Sequence, residues 1–202
     1  MITLYHSNQS RSVRPRWLLE EIGEPYELVR LDMTKGEHKT DAYRRIHPHG
    51  QVPALVDGDL TLLESAAICL HLADRFPDAK LAPPLGTPQR GRYYQWVAYT
   101  IGTLEPPILQ VFANTVMLPE AQRSADAAAA GRTQFGAVAK VLSDALGTQP
   151  YLLGDAFSAA DVMIGSTLAW ASFMGLLDGV PTLAAYVERL SQRPAYQRSN
   201  AA

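Results

Sequence analysis

The first third of the chain switches between two hydrophobic periods. Residues 2–5 are apolar and β-branched-rich, which predicts a strand. Residues 7–12 are polar and turn-like. Over 13–22, Trp17, Leu18 and Ile22 recur at helical spacing and Gly23 supplies the stop; Pro15 fits a first helical turn. Residues 26–31 alternate as a second strand, and 37–46 predict a weaker, polar helix. Residues 53–56 and 60–63 predict strands joined by the tight turn Asp57-Gly58-Asp59. Residues 64–76 predict a helix with Ile68, Leu72 and Phe76 on one face. The order is β-α-β-α-β-β-α, with a right-handed crossover into a parallel first pair and an antiparallel last pair.

The pattern then changes. Residues 77–88 hold four prolines and a glycine and form the clearest linker. Nothing beyond them reads as strand. A long helical pattern over 89–117 is expected to bend or break at Pro106-Pro107. Residues 121–146 are alanine-rich and helix-favouring, with 125–130 expected to be a solvated, tightly packed helix face. Helices are also expected over 158–176 and 182–190, with a short one after Pro194. Ser158 with Asp161 three positions later has the spacing of a helix cap, a structural role that excludes Asp161 from the chemistry. The expected organisation is a first domain over 1–78, a linker over 79–88 and an all-helical domain over 89–202.

Composition narrows the function. The chain has 202 residues, enough for a large core, and its formal net charge of -2 gives no footprint for nucleic acid or an anionic membrane. No apolar run reaches membrane-spanning length. No basic region followed by an apolar stretch opens the chain, so a cytoplasmic location is the expectation. The single cysteine, Cys69, excludes an intramolecular disulfide and Cys-x-x-Cys chemistry. No metal site is expected, because the histidines have no i, i+4 ligand pair nearby.

The chemistry concentrates in His47-Pro48-His49-Gly50-Gln51-Val52-Pro53 and in Glu64-Ser65. Proline lacks an N–H and is confined to a strand's edge or first residue, so Val52-Pro53 is expected to leave a backbone group open to an extended ligand. Glu64-Ser65 opens a helix, where backbone amides collect anionic groups. A peptide-like ligand with a free carboxylate suits such a site. These motifs resemble the glutathione-binding half of the glutathione S-transferase superfamily, specifically over residues 2–76 and more loosely to the C-terminus. The resemblance implies an α/β thioredoxin-like first domain followed by an all-α second one. It also implies a cis Val52-Pro53 bond, with the Val52 backbone pairing with the cysteinyl part of glutathione. Glu64 and Ser65 would meet the γ-glutamyl group, and His38 and Gln51 its glycine end. His38 reads equally well as an exposed loop histidine, and His47 and His49 read as surface or turn residues.

Ser7-Asn8-Gln9-Ser10-Arg11-Ser12-Val13 resembles the serine-type transferases of the theta, delta and phi classes, with Ser7 at the position of the catalytic hydroxyl and Ser10 opening the helix. Serines before a helix are also ordinary caps. The sulfur partner therefore lies between Ser7 and Ser10, ahead of Tyr5 and Arg11. Its role would be to stabilise a thiolate, since a free thiol of pKa about 8.5 is mostly protonated at neutral pH. Gln9 stands where the serine classes favour a small residue or proline. The cysteine that the beta class keeps in this segment is missing, and Cys69 reads as packing. The resemblance implies a detoxifying glutathione transferase, with glutathione as co-substrate, a small hydrophobic electrophile, and a homodimer. Tyr94, Tyr99, Phe112, Met117 and Trp170 are equally candidates for the electrophile's pocket and for core. Two other readings remain: a non-catalytic transferase-like interaction module, and a glutathione-dependent isomerase or dehalogenase.

Overall fold

The computed structural model describes residues 1–201. Two compact units are present, one formed by residues 1–82 with the segment from Gln192 onward, the other by Pro83–Ser191. In the first, strands β1 (Ile2–His6), β2 (Tyr26–Arg30), β3 (Ala54–Asp57) and β4 (Leu60–Leu63) form one sheet in the order β2-β1-β3-β4. β1 and β2 are parallel from Ile2↔Tyr26 to His6↔Arg30, while β3 runs antiparallel to both β1 and β4. Helix α1 (Val13–Ile22) makes the crossover, and Gly23 ends it in the left-handed conformation at φ 79°. Trp17 and Leu18 of α1, Leu4 and Leu55 of the sheet, and Ile68 and Leu72 of α3 (Ser65–Arg75) are buried as the core. This is the expected thioredoxin-like domain.

Two local devices carry the site. Gly58 at φ 61° takes the first position of the two-residue β3–β4 turn, where a left-handed residue lets the strands keep their twist. Just before that turn, Asp57 accepts from Arg75 Nε at 2.8 Å and pairs with His71 Nε2 at 3.0 Å, joining the hairpin to α3. Residues 37–46 do not form one helix. A 3₁₀ turn (Glu37–Lys39) and the one-turn α2 (Asp41–Arg44) flank Thr40, whose extended backbone (φ -66°, ψ 150°) frees its hydroxyl to accept the Tyr43 N–H. The cap competes with helix continuation and wins.

The last helix, α9 (Pro194–Asn200), lies in the first unit. Tyr196 meets Trp17 edge-on at 4.9 Å between ring centroids, and Arg193 holds Glu21 at 2.6 Å. The buried Arg16 donates to the Ala201 carbonyl at 2.9 Å.

The second unit is helical: α4 (Pro88–Tyr99), α5 (Glu105–Phe112), α6 (Ala125–Leu146), α7 (Ala159–Phe173) and α8 (Pro181–Ser191). Pro106-Pro107 does not break the 88–117 stretch. A wide π-helical turn (Thr100–Leu104) precedes the prolines, so they enter the first turn of α5, where an N–H is not needed. A side chain at Gly131 of α6 would come within 2.9 Å of the Pro107 carbonyl, so glycine sets how closely α6 meets α5. At the start of α7, buried Asp161 accepts from the backbone N–H groups of Leu152 and Ser158, the Ser158 hydroxyl and the Tyr186 hydroxyl. The apolar candidates divide: Phe112 packs on Trp170 at 5.3 Å, whereas Tyr94 and Met117 are exposed.

Candidate active site

Three segments of the first unit converge on a cavity of about 330 Å³. The β1–α1 loop supplies Gln9, Ser10 and Arg11; the segment before β3 supplies His47, Gln51, Val52 and Pro53; the head of α3 supplies Glu64 and Ser65; Met33 completes the wall.

The segment before β3 is held by neighbours rather than by a ladder. Lys39 Nζ donates to the carbonyls of His49 (3.1 Å) and Gly50 (2.8 Å), and the Tyr43 hydroxyl donates to the Gln51 carbonyl at 2.6 Å. Val52-Pro53 is cis. Among the described residues, the Val52 N–H and C=O have no protein hydrogen-bond partner, so an extended ligand finds both open. Gly50 has φ +57°, and a Cβ there would stand 2.5 Å from the His38 carbonyl oxygen. Gly50→Ala is therefore expected to push this segment off the 3₁₀ turn and cost about 2 kcal/mol of stability. A lowered urea midpoint with unchanged slope is the check.

The head of α3 presents a charge-selective pair. Glu64 has φ 68° and ψ 114°, a strained backbone for a non-glycine residue. Its carbonyl accepts the Ile68 N–H and begins the helix. Its side chain is exposed, whereas Ser65 is buried and accepts from Arg14 Nη1 at 3.1 Å. With its lone pair engaged by a guanidinium, the Ser65 hydroxyl proton is free for an acceptor. Buried Arg14 also sets a positive charge beneath that point.

The β1–α1 loop is a hydroxyl cluster on a buried histidine. Ser10 Oγ lies 2.7 Å from both Ser12 Oγ and the Ser7 carbonyl oxygen, and Ser12 Oγ lies 2.7 Å from His6 Nδ1. Ser12 Oγ also accepts the Ser7 N–H at 3.1 Å. Burial holds the His6 ring below the ordinary histidine value, outweighing its bond to Asn8. Gln9 has φ 56°, which excludes proline at that position.

The cavity thus gathers Ser10, Gln51, Val52, Pro53, Glu64 and Ser65. It does not include Ser7, which enters through its backbone, or His38, which is half-buried in the 3₁₀ turn. His47 departs from its reading as a surface or turn residue: it is 5% exposed and lines the cavity, because its ring folds in beside Tyr43. Burial lowers its pKa. Arg14 escaped the sequence reading, since its spacing on α1 resembles that of a solvated arginine. Cys69 is fully buried and its thiol is pushed up to about 12 by that burial, so it offers no nucleophile. Among the described residues, no cluster of three His, Cys, Asp or Glu side chains stands where it could hold a metal ion, and no helix is long and apolar enough to cross a membrane.

An open backbone edge, an acid-hydroxyl pair at a helix head and hydroxyls after the first strand thus meet in one cavity of a thioredoxin-like domain. Residues 1–74 match the family described as glutathione S-transferase, N-terminal domain, and residues 125–189 its C-terminal domain. The chain is 30% identical over 197 residues to glutathione S-transferase GstA of Escherichia coli O157:H7, covering 96% of this chain and 94% of that one. It superposes with a TM-score of 0.85 on a sphingomonad glutathione S-transferase complexed with glutathione, at 30% identity and covering 98% and 96% of the two chains. The transferase URE2P6 of Phanerochaete chrysosporium, in complex with oxidized glutathione, gives a TM-score of 0.87 at 27% identity, covering 98% and 94%. The chain belongs to the glutathione S-transferase superfamily.

Proposed function

We propose that the protein is a serine-type glutathione transferase that activates the glutathione thiol as a thiolate and directs it at a small hydrophobic electrophile. The observation that carries this reading is the Val52 backbone, open on both polar groups, in a cavity that Ser10, Glu64 and Ser65 also line. A γ-glutamyl group brings an ammonium for Glu64 and a carboxylate for the Ser65 hydroxyl, the α3 amides and the charge of Arg14. The cysteinyl residue then runs antiparallel to Val52 with its sulfur toward Ser10. The glycine end falls toward Gln51, with His38 beyond it.

Lowering the thiol pKa by two units requires about 2.7 kcal/mol. One charge-assisted hydrogen bond together with the potential at the head of α1 is of that size. Ser10 lines the cavity and Ser7 does not, which favours Ser10 as the sulfur partner. Glutathione is a co-substrate here, and the chemistry calls for no metal. An electrophile site walled by helices of the second unit, a cytoplasmic homodimer and a role in detoxification belong to the same proposal; the second unit ends at Ser191 rather than at 202, because α9 packs on α1 of the first.

The test is a glutathione titration with ultraviolet detection of the bound thiolate. Wild type is expected to bind at millimolar affinity or tighter, and Ser65→Ala to bind roughly 30-fold more weakly, from the loss of a hydrogen bond to a charged group. Failure of wild type to bind would favour the interaction-module reading. Binding with a thiolate signal but no turnover of aromatic or alkyl halides would redirect the search to isomerase or dehalogenase substrates.

A further inference from the structure

The hydroxyl cluster and the buried His6 ring form one continuous hydrogen-bonded series. Four contacts run in series from the loop into the buried ring: Ser7 carbonyl oxygen to Ser10 Oγ, Ser10 Oγ to Ser12 Oγ, and Ser12 Oγ to His6 Nδ1, each 2.7 Å, and His6 Nε2 to Asn8 Oδ1 at 2.9 Å. At these lengths each contact needs a proton between its atoms. The carbonyl and the amide oxygen only accept, each hydroxyl carries one proton, and a neutral imidazole carries one. With the Asn8 amide oxygen toward Nε2, three protons serve these four contacts.

We propose that His6 takes the proton of the glutathione thiol through Ser10 and Ser12, an inference that rests on the reading of Ser10 as the sulfur partner. The S–H bond breaks as its proton passes to Ser10 Oγ. The proton that Ser10 carried passes to Ser12 Oγ, and the proton that Ser12 carried passes to His6 Nδ1. Sulfur keeps the bonding pair as a thiolate, both hydroxyls are restored, and the imidazole becomes an imidazolium bonded at both nitrogens. No further reactant is consumed: the proton on Ser10 then faces the thiolate, and the ring holds one proton at each nitrogen.

The surroundings of His6 suit an acceptor that is empty at rest. The ring is fully buried, and the charges that face it are Arg16 from α1, whose Nη1 lies 3.4 Å from Nε2, and Arg30 from β2. Both disfavour a second positive charge, as burial does. A thiolate at Ser10 supplies the compensating negative charge across the hydroxyl pair, in a low-dielectric setting that strengthens the attraction. The proton is thus held while the thiolate is present and released with it.

The experiment counts protons. Glutathione binding to the intact protein near pH 7 is followed by calorimetry in buffers of different ionisation enthalpy, with thiolate measured by ultraviolet absorbance. S-methylglutathione, which has no thiol proton, gives the baseline. The expected result is thiolate formation with far less than one proton released per thiolate. Nitrogen-15 spectra of His6 should show both ring nitrogens protonated once glutathione is added. His6→Asn keeps an acceptor near the Nδ1 position without its basicity, and it should release about one proton per thiolate. His6→Phe should do the same if it folds, and the asparagine variant with the wild-type spectra suffices if it does not. Release of one proton per thiolate by wild type, with His6 still neutral, overturns the proposal; an Asn8 amide turned to donate to Nε2 would give that result. Absence of glutathione binding is a separate outcome that removes the transferase reading and the relay with it.

Discussion

Ser10→Ala is expected to lower kcat/KM for glutathione conjugation about 30-fold near pH 7, and to raise the pKa of the bound thiol by about 1.5 units. A hydrogen bond to a charged group is worth about 2 kcal/mol, and here it would exist only with sulfur as thiolate. The loss should therefore fall on the ionisation of the thiol, with affinity little changed, because Glu64, Ser65 and the Val52 backbone still hold the peptide. Above the new thiol pKa the deficit should shrink, since the thiolate then forms without help. Ser7→Ala is expected to do several-fold less damage, because Ser7 meets the cluster through its N–H and C=O. A pH profile of kcat/KM for the two variants reads both statements. An equal loss in both would return Ser7 to the position of sulfur partner.

Asp161→Ala is expected to cost about 4 kcal/mol of stability. Two backbone N–H groups and two hydroxyls converge on this one carboxylate, which is completely buried. Alanine leaves all of those donors without an acceptor, at about 1–3 kcal/mol for each group that cannot relax to water. Tyr186→Phe removes one donor and should cost about 1 kcal/mol. The measurement is the urea midpoint at unchanged slope, and a loss below 1 kcal/mol for Asp161→Ala would show that the α7 cap is replaceable. Glutathione affinity in the first unit should survive wherever the variant is folded, because none of these groups lines its cavity.

Local rules made the sheet and much of the cavity legible. Alternation, a stop glycine and an Asp-Gly turn are short-range signals, and strands β1 to β4 follow them. Val52-Pro53 and Glu64-Ser65 share one cavity wall, and a strand-opening proline and a helix-opening pair are both short-range signals. What escaped depends on partners far along the chain. Arg14 comes to stand behind the cavity wall only because α3 brings Ser65 to it, 51 positions away. His47 is buried because the chain turns it inward beside Tyr43, and nothing in a His-Pro-His run says which ring goes in. The stretch at 37–46 failed as a single helix because Thr40 spends its backbone on a cap. Pro106-Pro107 failed as a break because a wider turn ahead absorbs the ring clash. The contacts of α9 with α1 rest on Arg193, Tyr196 and Arg198, a composition that reads as an exposed tail until Glu20, Glu21 and Trp17 are placed opposite.

The grip of Asp57 on His71 and Arg75 has a dynamic consequence. The side chain of Asp57 is 7% exposed, and it welds the far end of the hairpin to the flank of α3. Val52 lies just ahead of β3 and Glu64-Ser65 at the head of α3, so these two walls of the cavity belong to one cooperative unit. Neither can fray alone, because opening one drags on the other through the clamp. The cavity is thereby held in shape by the fold itself, and the peptide ligand proposed above would meet groups already in place, with little ordering left to be done.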